Sequence, residues 1–397
     1  MTNGLKKEDS AALKGLAVLL LIFHHCYRLA DRIERYQVDL CGLTTEQLVA
    51  IAECCKICVA IFAFVSGYGL MYGYSAKMKN KEKYAVSEWI SGHLLSTMSG
   101  FWFTAAVSYL IYFGLGLKDP SKWGETFYER GFAVFADILG ISKLLETESL
   151  NGAWWYMSAA FVFIILLPLL DGTIEKFGGI FCIAVIFLLP RILGIGFQGG
   201  SKPYSFLLIF VAGMLCCKYN FFQKLHEYRR KKLKFICLSA LLCAGLFLYH
   251  KIDLKIFWEF RYALVPFLLI LFCVEYLFRI TPVSLFLQYL QKEIQSIFHQ
   301  PQETFLMVNN SFVDQFHQIL FIGFSSHLID KFCIPVPSAD AKKSSPPEHG
   351  LPCIIRLHVS QVFQVTRKKL LVEFNIRSVF KIPFINITLY HYIRIQF

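Results

Sequence analysis

The sequence predicts an all-α fold: a polytopic integral membrane helical bundle of about 8–10 transmembrane helices, with its amino terminus cytoplasmic. Three observations lead there. Apolar and aromatic residues make up 56% of the 397, and charged residues only 17%, against about 25% in ordinary soluble domains. The mean hydropathy is +0.50, and the apolar residues fall into runs near the roughly 20 residues that a spanning helix needs. The Lys and Arg residues gather in short clusters between those runs, as the positive-inside rule produces. Such a composition excludes a disordered chain and leaves too little polar surface to cover a soluble enzyme. The net charge of +12 is not spread over one soluble face, so the expected partner is the lipid bilayer and not nucleic acid.

The first run, residues 11–29, holds Lys14 and a His pair, and no small-residue cleavage site follows it. It reads as the first spanning helix and not as a signal peptide. Further runs lie near 49–74, 93–117, 153–171, 177–197, 203–218, 234–250 and 260–280, the sixth and seventh being short. Eight crossings put Lys6 and Lys7, the lysines at 77, 79, 81 and 83, and the basic stretch from Lys218 to Lys234 on one side. That side is the cytoplasmic one. The loop from Lys118 to Leu150 then lies outside and carries more acids than bases. Trp154 and Trp155 follow it at the outer interface, where Trp is common. The chain reads as a multi-pass protein of the cell membrane.

Composition changes near residue 290. Of the 25 glycines, 23 lie before it, with all six tryptophans; six of the eleven histidines lie after it. We therefore divide the chain into a transmembrane domain, 1–290, and an atypical tail, 291–397, read as a shifted reading frame or a disordered segment. The thirteen cysteines lie mostly inside apolar runs, and the Cys55-x-x-Cys58 pair has no second pair or His cluster near it. They read as small hydrophobes, so no metal site is expected.

Lys14 and His25 are eleven residues apart, about 1100° at 100° per residue, so they share one helix face. A rise of about 1.5 Å per residue separates them by some 16 Å. This places Lys14 near the cytoplasmic boundary and His25 near the bilayer midplane, with His24 turned about 100° away. An ionisable group at that depth faces a protein or water-filled cavity, or is a satisfied packing residue between helices. In the second run, Phe64-Val65-Ser66-Gly67-Tyr68 combines a glycine that lets a neighbouring backbone approach with two hydroxyls. Helix packing explains them, and Ser66 and Tyr68 are also available to a pocket shared with helix one.

Lys14-x10-His25, Phe64-Val65-Ser66-Gly67-Tyr68 and Asn151-Gly152-Ala153-Trp154-Trp155 together resemble the membrane-bound acyltransferase-3 family, in the family's order. The resemblance implies an O-acyltransferase of about ten helices. It moves an acyl group, with acetyl expected, from cytoplasmic acyl-CoA to a hydroxyl of a cell-surface or exported carbohydrate. It implies His25 as catalytic base with Lys14 as its partner toward the CoA phosphates. His24, Ser66, Tyr68, Trp154 and Trp155 are then candidates for substrate binding. No permanently bound cofactor is implied; acyl-CoA, acetyl-CoA in the simplest case, is a substrate. The segment entering helix three offers only His93 where the family carries Arg or Lys. The family's continuation after helix eight begins at Tyr289-Leu290-Gln291-Lys292 and is then lost, which implies an impaired C-terminus. The rival reading is a secondary transporter or a flippase-like protein of polysaccharide export, with His25 relaying protons.

Overall fold

The structure is a computed structural model, and it describes residues 4–35, 42–78, 85–114, 116, 119–196 and 199–299. The described residues form helices and no strand, because lipid offers no partner for open backbone groups. The order is α1 (Lys7–Tyr27), α2 (Ala30–Arg35), α3 (Thr45–Cys54), α4 (Ile57–Met78), α5 (Val86–Gly114), α6 (Phe127–Ile138) and α7 (Trp155–Phe177). Then come α8 (Gly179–Ile192), α9 (Leu207–Lys218), α10 (Phe221–Glu227), α11 (Lys231–Leu248), α12 (Leu254–Glu259), α13 (Val265–Glu275) and α14 (Thr281–His299).

Each of the eight apolar runs is helical. By length and apolarity, five segments among the described residues are able to cross a membrane: α1, α3 with α4, α5, α7, and Lys255–Arg279. A sixth is the pair α9 and α10, bent by 68° where Asn220 takes a left-handed conformation at φ 50°. This is fewer than the expected 8–10. The shortfall lies in α8, which has 14 residues, and in α11, whose first turn carries Lys231, Lys232 and Lys234. The structure is a polytopic membrane bundle in which α8 is too short and α11 too charged to count as spans.

The helix starts are written locally. Thr44 and Gln47 form a reciprocal cap on α3: the Thr44 hydroxyl accepts from the Gln47 N–H at 3.3 Å, and the Thr44 N–H donates to Gln47 Oε1 at 2.9 Å. Thr126 and Glu129 do the same for α6. Between α12 and α13 the chain makes a π turn over Phe260–Leu264, just ahead of Pro266, which has no N–H to donate.

α4 is the central helix, buried at every position from Ile57 to Val65. Its tightest partner is α9. A Cβ on Gly67 would stand 2.1 Å from the Phe210 carbonyl oxygen, and one on Gly213 would stand 2.2 Å from that of Phe64. The two backbones therefore touch through paired glycines, the close approach that small residues give membrane helices. α1 also packs on α4, and its Gly15 lies against the Leu287 carbonyl of α14, where a Cβ would sit at 2.0 Å. α14 continues to His299. The reading of the tail as frame-shifted or disordered falls, from residue 300 on, outside the described residues.

Ion pairs mark the two ends of the bundle. At the end where α1 begins, Lys218 pairs with Asp171 and Glu175, and Lys234 pairs with Glu275 at 2.5 Å. At the other end Arg191 grips Glu259 with contacts of 2.8 and 2.9 Å. There too, a smaller lobe forms from α6, the 139–154 loop and the facing part of α5. Its core holds Met98, Phe101, Tyr109, Trp123, Trp154 and Met157. Fully buried Asp137 ties it together, accepting from the Tyr109 hydroxyl at 2.8 Å and from the Leu150 N–H at 2.7 Å.

Two predictions follow from this packing. Gly67→Ala or Gly213→Ala forces α4 and α9 apart and lowers stability by about 1–3 kcal/mol. Gly73→Ala, which meets nothing within 4 Å, is neutral or slightly stabilising. Thermal melting in detergent distinguishes them. Burial holds the Asp137 carboxyl above its ordinary value of 3.8. The folded state thus keeps this proton longer than the unfolded state, and stability falls as pH rises from about 3.8 through the raised value. Asp137→Asn, which cannot ionise, should flatten that part of the melting-versus-pH curve; an unchanged slope would refute the assignment.

Candidate active site

The polar cavity lies where α1 ends. The α3–α4 segment is antiparallel to α1, because Leu5, ahead of α1, meets Tyr68 of α4, while His24, near its end, meets Ala52 of α3. α3 stops at Cys54, and α4 starts at Ile57. In an unbroken helix the Lys56 N–H would bond the Ala52 carbonyl. Here it bonds Glu53 instead, at 3.1 Å, so the Ala52 carbonyl is released. His24 takes it: its ring nitrogen Nδ1 lies 2.7 Å from that oxygen. A carbonyl only accepts, so Nδ1 carries the hydrogen and the neutral ring keeps its lone pair on Nε2.

Around this junction a cavity of about 310 Å³ opens, lined by His24, Arg28, Leu29, Glu53, Lys56, Tyr249, Arg261 and Tyr262. The Lys56 ammonium and the Tyr262 hydroxyl both converge on Gly200, at which a Cβ would meet them at 2.8 and 2.3 Å. Arg261 donates through Nε to the Tyr249 carbonyl, and its guanidinium lies 5.0 Å from the centre of that ring. The wall is basic, since three cations face one carboxylate. That carboxylate, Glu53, has His250 at 4.0 Å.

The residues singled out in the sequence divide between several places. α1 is one unbroken helix, so Lys14 and His25 do share a face. His25 stands two residues before the end of α1, however, and not at midplane. Lys14 is seven residues, roughly 10 Å, in from the start and not at the boundary. α1 starts at Lys7, four residues ahead of the apolar run, and ends at Tyr27, which shifts both residues toward its far end. His24 and His25 are neighbours edge to edge, their ring centres 5.2 Å apart. His24 borders the cavity. His25 and Lys14 are half-buried.

Ser66 and Tyr68 do not join them. Tyr68 is about 18 Å along α4 from Lys56, and its hydroxyl accepts from the Leu5 N–H at 2.8 Å. It anchors the segment ahead of α1 at the opposite end. Ser66 lies beside Tyr156 of α7, inside the bundle. Trp154 packs on Phe101 at 5.2 Å in the smaller lobe. Trp155 stacks on Phe206 at 5.6 Å, and Phe206 in turn meets Tyr262 at 5.2 Å. Trp155 therefore supports a cavity wall from behind. Both tryptophans are packing residues at the end of α7 facing the smaller lobe, and neither lines the cavity.

Arg28, Lys56, Tyr249, Arg261 and Tyr262 were not singled out from the sequence. One signal was present: Glu53 and Lys56 sit inside an apolar run, and an ionisable residue inside a spanning segment marks a site. Among the described residues no group of His, Cys, Asp or Glu is placed to hold a metal ion, and the ten described cysteines are free thiols.

Fold and cavity define a polytopic membrane protein with a basic, imidazole-bordered site at one end of its bundle. An acyltransferase domain model matches residues 10–297. The chain belongs to the acyltransferase-3 family and is a multi-pass membrane acyltransferase. No curated protein and no solved structure matches it.

The bond between His24 and Ala52 has a measurable weight. His24→Ala leaves a buried carbonyl without a donor and costs about 1–3 kcal/mol. His24→Gln, whose amide reaches as a donor, should recover part of the lost melting temperature, whereas His25→Ala should leave it nearly unchanged.

Proposed function

We propose that the protein transfers an acyl group, acetyl in the simplest case, from cytoplasmic acyl-CoA to a hydroxyl of a cell-surface or exported carbohydrate. The observation that carries this reading is the imidazole pair at the end of α1 beside an open polar cavity, in a chain of the acyltransferase-3 family. The Lys14-x10-His25 register makes His25 the base. It takes the proton of the acceptor hydroxyl as the oxygen attacks the thioester carbonyl. The tetrahedral intermediate collapses, the C–S bond breaks, and the imidazolium returns the proton to the leaving thiolate. Carbon, proton and electron pair balance without a cofactor.

The cytoplasmic side is the end bearing Lys6, Lys7, Lys77 and the 218–234 stretch. Acyl-CoA enters there. Lys14 offers its phosphates a point charge, and the pantetheine arm runs along the shared face toward His25. His24, held by the Ala52 carbonyl, keeps its neighbour's ring in place.

A second reading makes His24 the base, because it borders the cavity and its lone pair is on Nε2. Single-turnover transfer of labelled acetyl from acetyl-CoA in reconstituted vesicles decides between them. His25→Ala should lower the rate about 10²–10⁴-fold, with His24→Ala losing mainly thermal stability. The opposite pattern moves the base to His24. Full activity in both variants, or uptake of the probe without covalent transfer, would refute the enzyme mechanism.

A further inference from the structure

The cavity holds more positive charge than the proposed chemistry uses. Among the described residues, Arg28, Lys56 and Arg261 make no salt bridge. Lys56 is half-buried, and its ammonium makes no hydrogen bond to a described residue. An ammonium set into a membrane protein without an acid costs free energy unless a ligand neutralises it. Three other half-buried lysines show one solution: Lys218, Lys234 and Lys202 each have a carboxylate at hand. Glu53, the single acid of the wall, is about one α-helical turn from Lys56 and faces His250.

Position decides which substrate the charge serves. α1 runs about 26 Å from Lys7 to His24, so the cavity is at the end opposite the clustered lysines that mark the cytoplasmic side. Phosphates of a cytoplasmic CoA stay at that side; what approaches the cavity mouth from the other is the acceptor. Tyr249 and Tyr262 are buried and form part of the wall. A volume of about 310 Å³ is in the range of small-ligand sites.

We propose that Arg28, Lys56 and Arg261 form an anion subsite that makes the acceptor an acidic carbohydrate, bound through a carboxylate or phosphate beside the hydroxyl to be acylated. This deepens the acyltransferase reading and rests on it. The anion is either a sugar carboxylate or the phosphate of a lipid-linked sugar, and the test separates the two.

Purified full-length protein in uncharged detergent is titrated with oligogalacturonate, its carboxyl-reduced counterpart, a polyprenyl-phosphate-linked hexose and coenzyme A. Oligogalacturonate or the lipid phosphate should bind at least about tenfold more tightly than the neutral oligosaccharide, and less tightly as salt rises. Whichever binds names the source of the anion. Lys56→Gln or Arg28→Gln should weaken that ligand about tenfold, and Lys56→Arg should restore it. Arg28 is exposed and its side chain makes no salt bridge among the described residues, so its variant keeps the fold even if Lys56→Gln unsettles the α3–α4 break. Coenzyme A affinity should not move. Equal binding of acidic and neutral glycans, binding of neither, or a loss confined to coenzyme A would each overturn the subsite. Because these are binding measurements, they fail or succeed separately from the labelled-acetyl transfer that tests the enzyme itself.

Discussion

A membrane helix that breaks must find a partner for every backbone group it releases, since lipid supplies none. The interruption at Cys55 and Lys56 releases the Ala52 carbonyl, and the His24 ring answers it at 2.7 Å. That one bond joins the end of α1 to the junction of α3 and α4. It also sets the tautomer of the ring. The break turns Lys56 and Glu53 toward a common space instead of leaving them on a continuous apolar helix. Cavity, imidazole and cations all follow from a local failure of helical hydrogen bonding that the fold repairs with a side chain.

The rest of the bundle makes this junction rigid. α4 crosses α9 through Gly67 and Gly213, and α1 crosses α14 at Gly15. In each case a carbonyl oxygen occupies the space a methyl group would need. Packing this close gives lipid-embedded helices their van der Waals attraction, where no hydrophobic gain is available between them. Tyr68 closes the far end of the α1–α4 pair through the Leu5 N–H. The two helices are therefore tied at both ends, by Tyr68 and by His24, about 16 residues of the α3–α4 segment apart. Motif residues that look like one pocket in the sequence are two fastenings of a single helix pair.

This separation shows what was legible and what was not. Hydropathy located every apolar helix, because a spanning segment needs a long apolar run and little else does. The 11-residue step placed Lys14 and His25 on one face, because helical geometry is fixed by the backbone. Depth was not legible, since it depends on where α1 starts and stops, and Lys7-Glu8-Asp9-Ser10 is too polar to look like part of a spanning run. The break at Cys55 was also hidden: no Pro or Gly marks it, and Glu53 and Lys56 beside it announce charge but not an interruption of the helix. Arg28, Lys56 and Arg261 come from three distant segments, and only their shared end of the bundle relates them. Ser66 and Tyr68 were misplaced for the converse reason, being near Gly67 in sequence but pointing to other neighbours.

At the end with the clustered lysines, Lys218 pairs with Asp171 and Lys234 with Glu275. At the opposite end Arg191 and Lys202 are matched as well, and these pairs tie loops and helix ends together. Among the described residues, the three cations that line the cavity, Arg28, Lys56 and Arg261, make no such pair. A structural charge near lipid is expected to be neutralised within the protein, because desolvation outweighs what an unpaired ion contributes. Half-buried Lys56 and Arg261 depart from that rule, exposed Arg28 stands beside them on the same cavity, and a ligand that brings negative charge accounts for the three together. The same departure explains why Lys56 sits in an otherwise apolar segment: an apolar residue there would pack more easily but would leave the incoming anion without a buried partner.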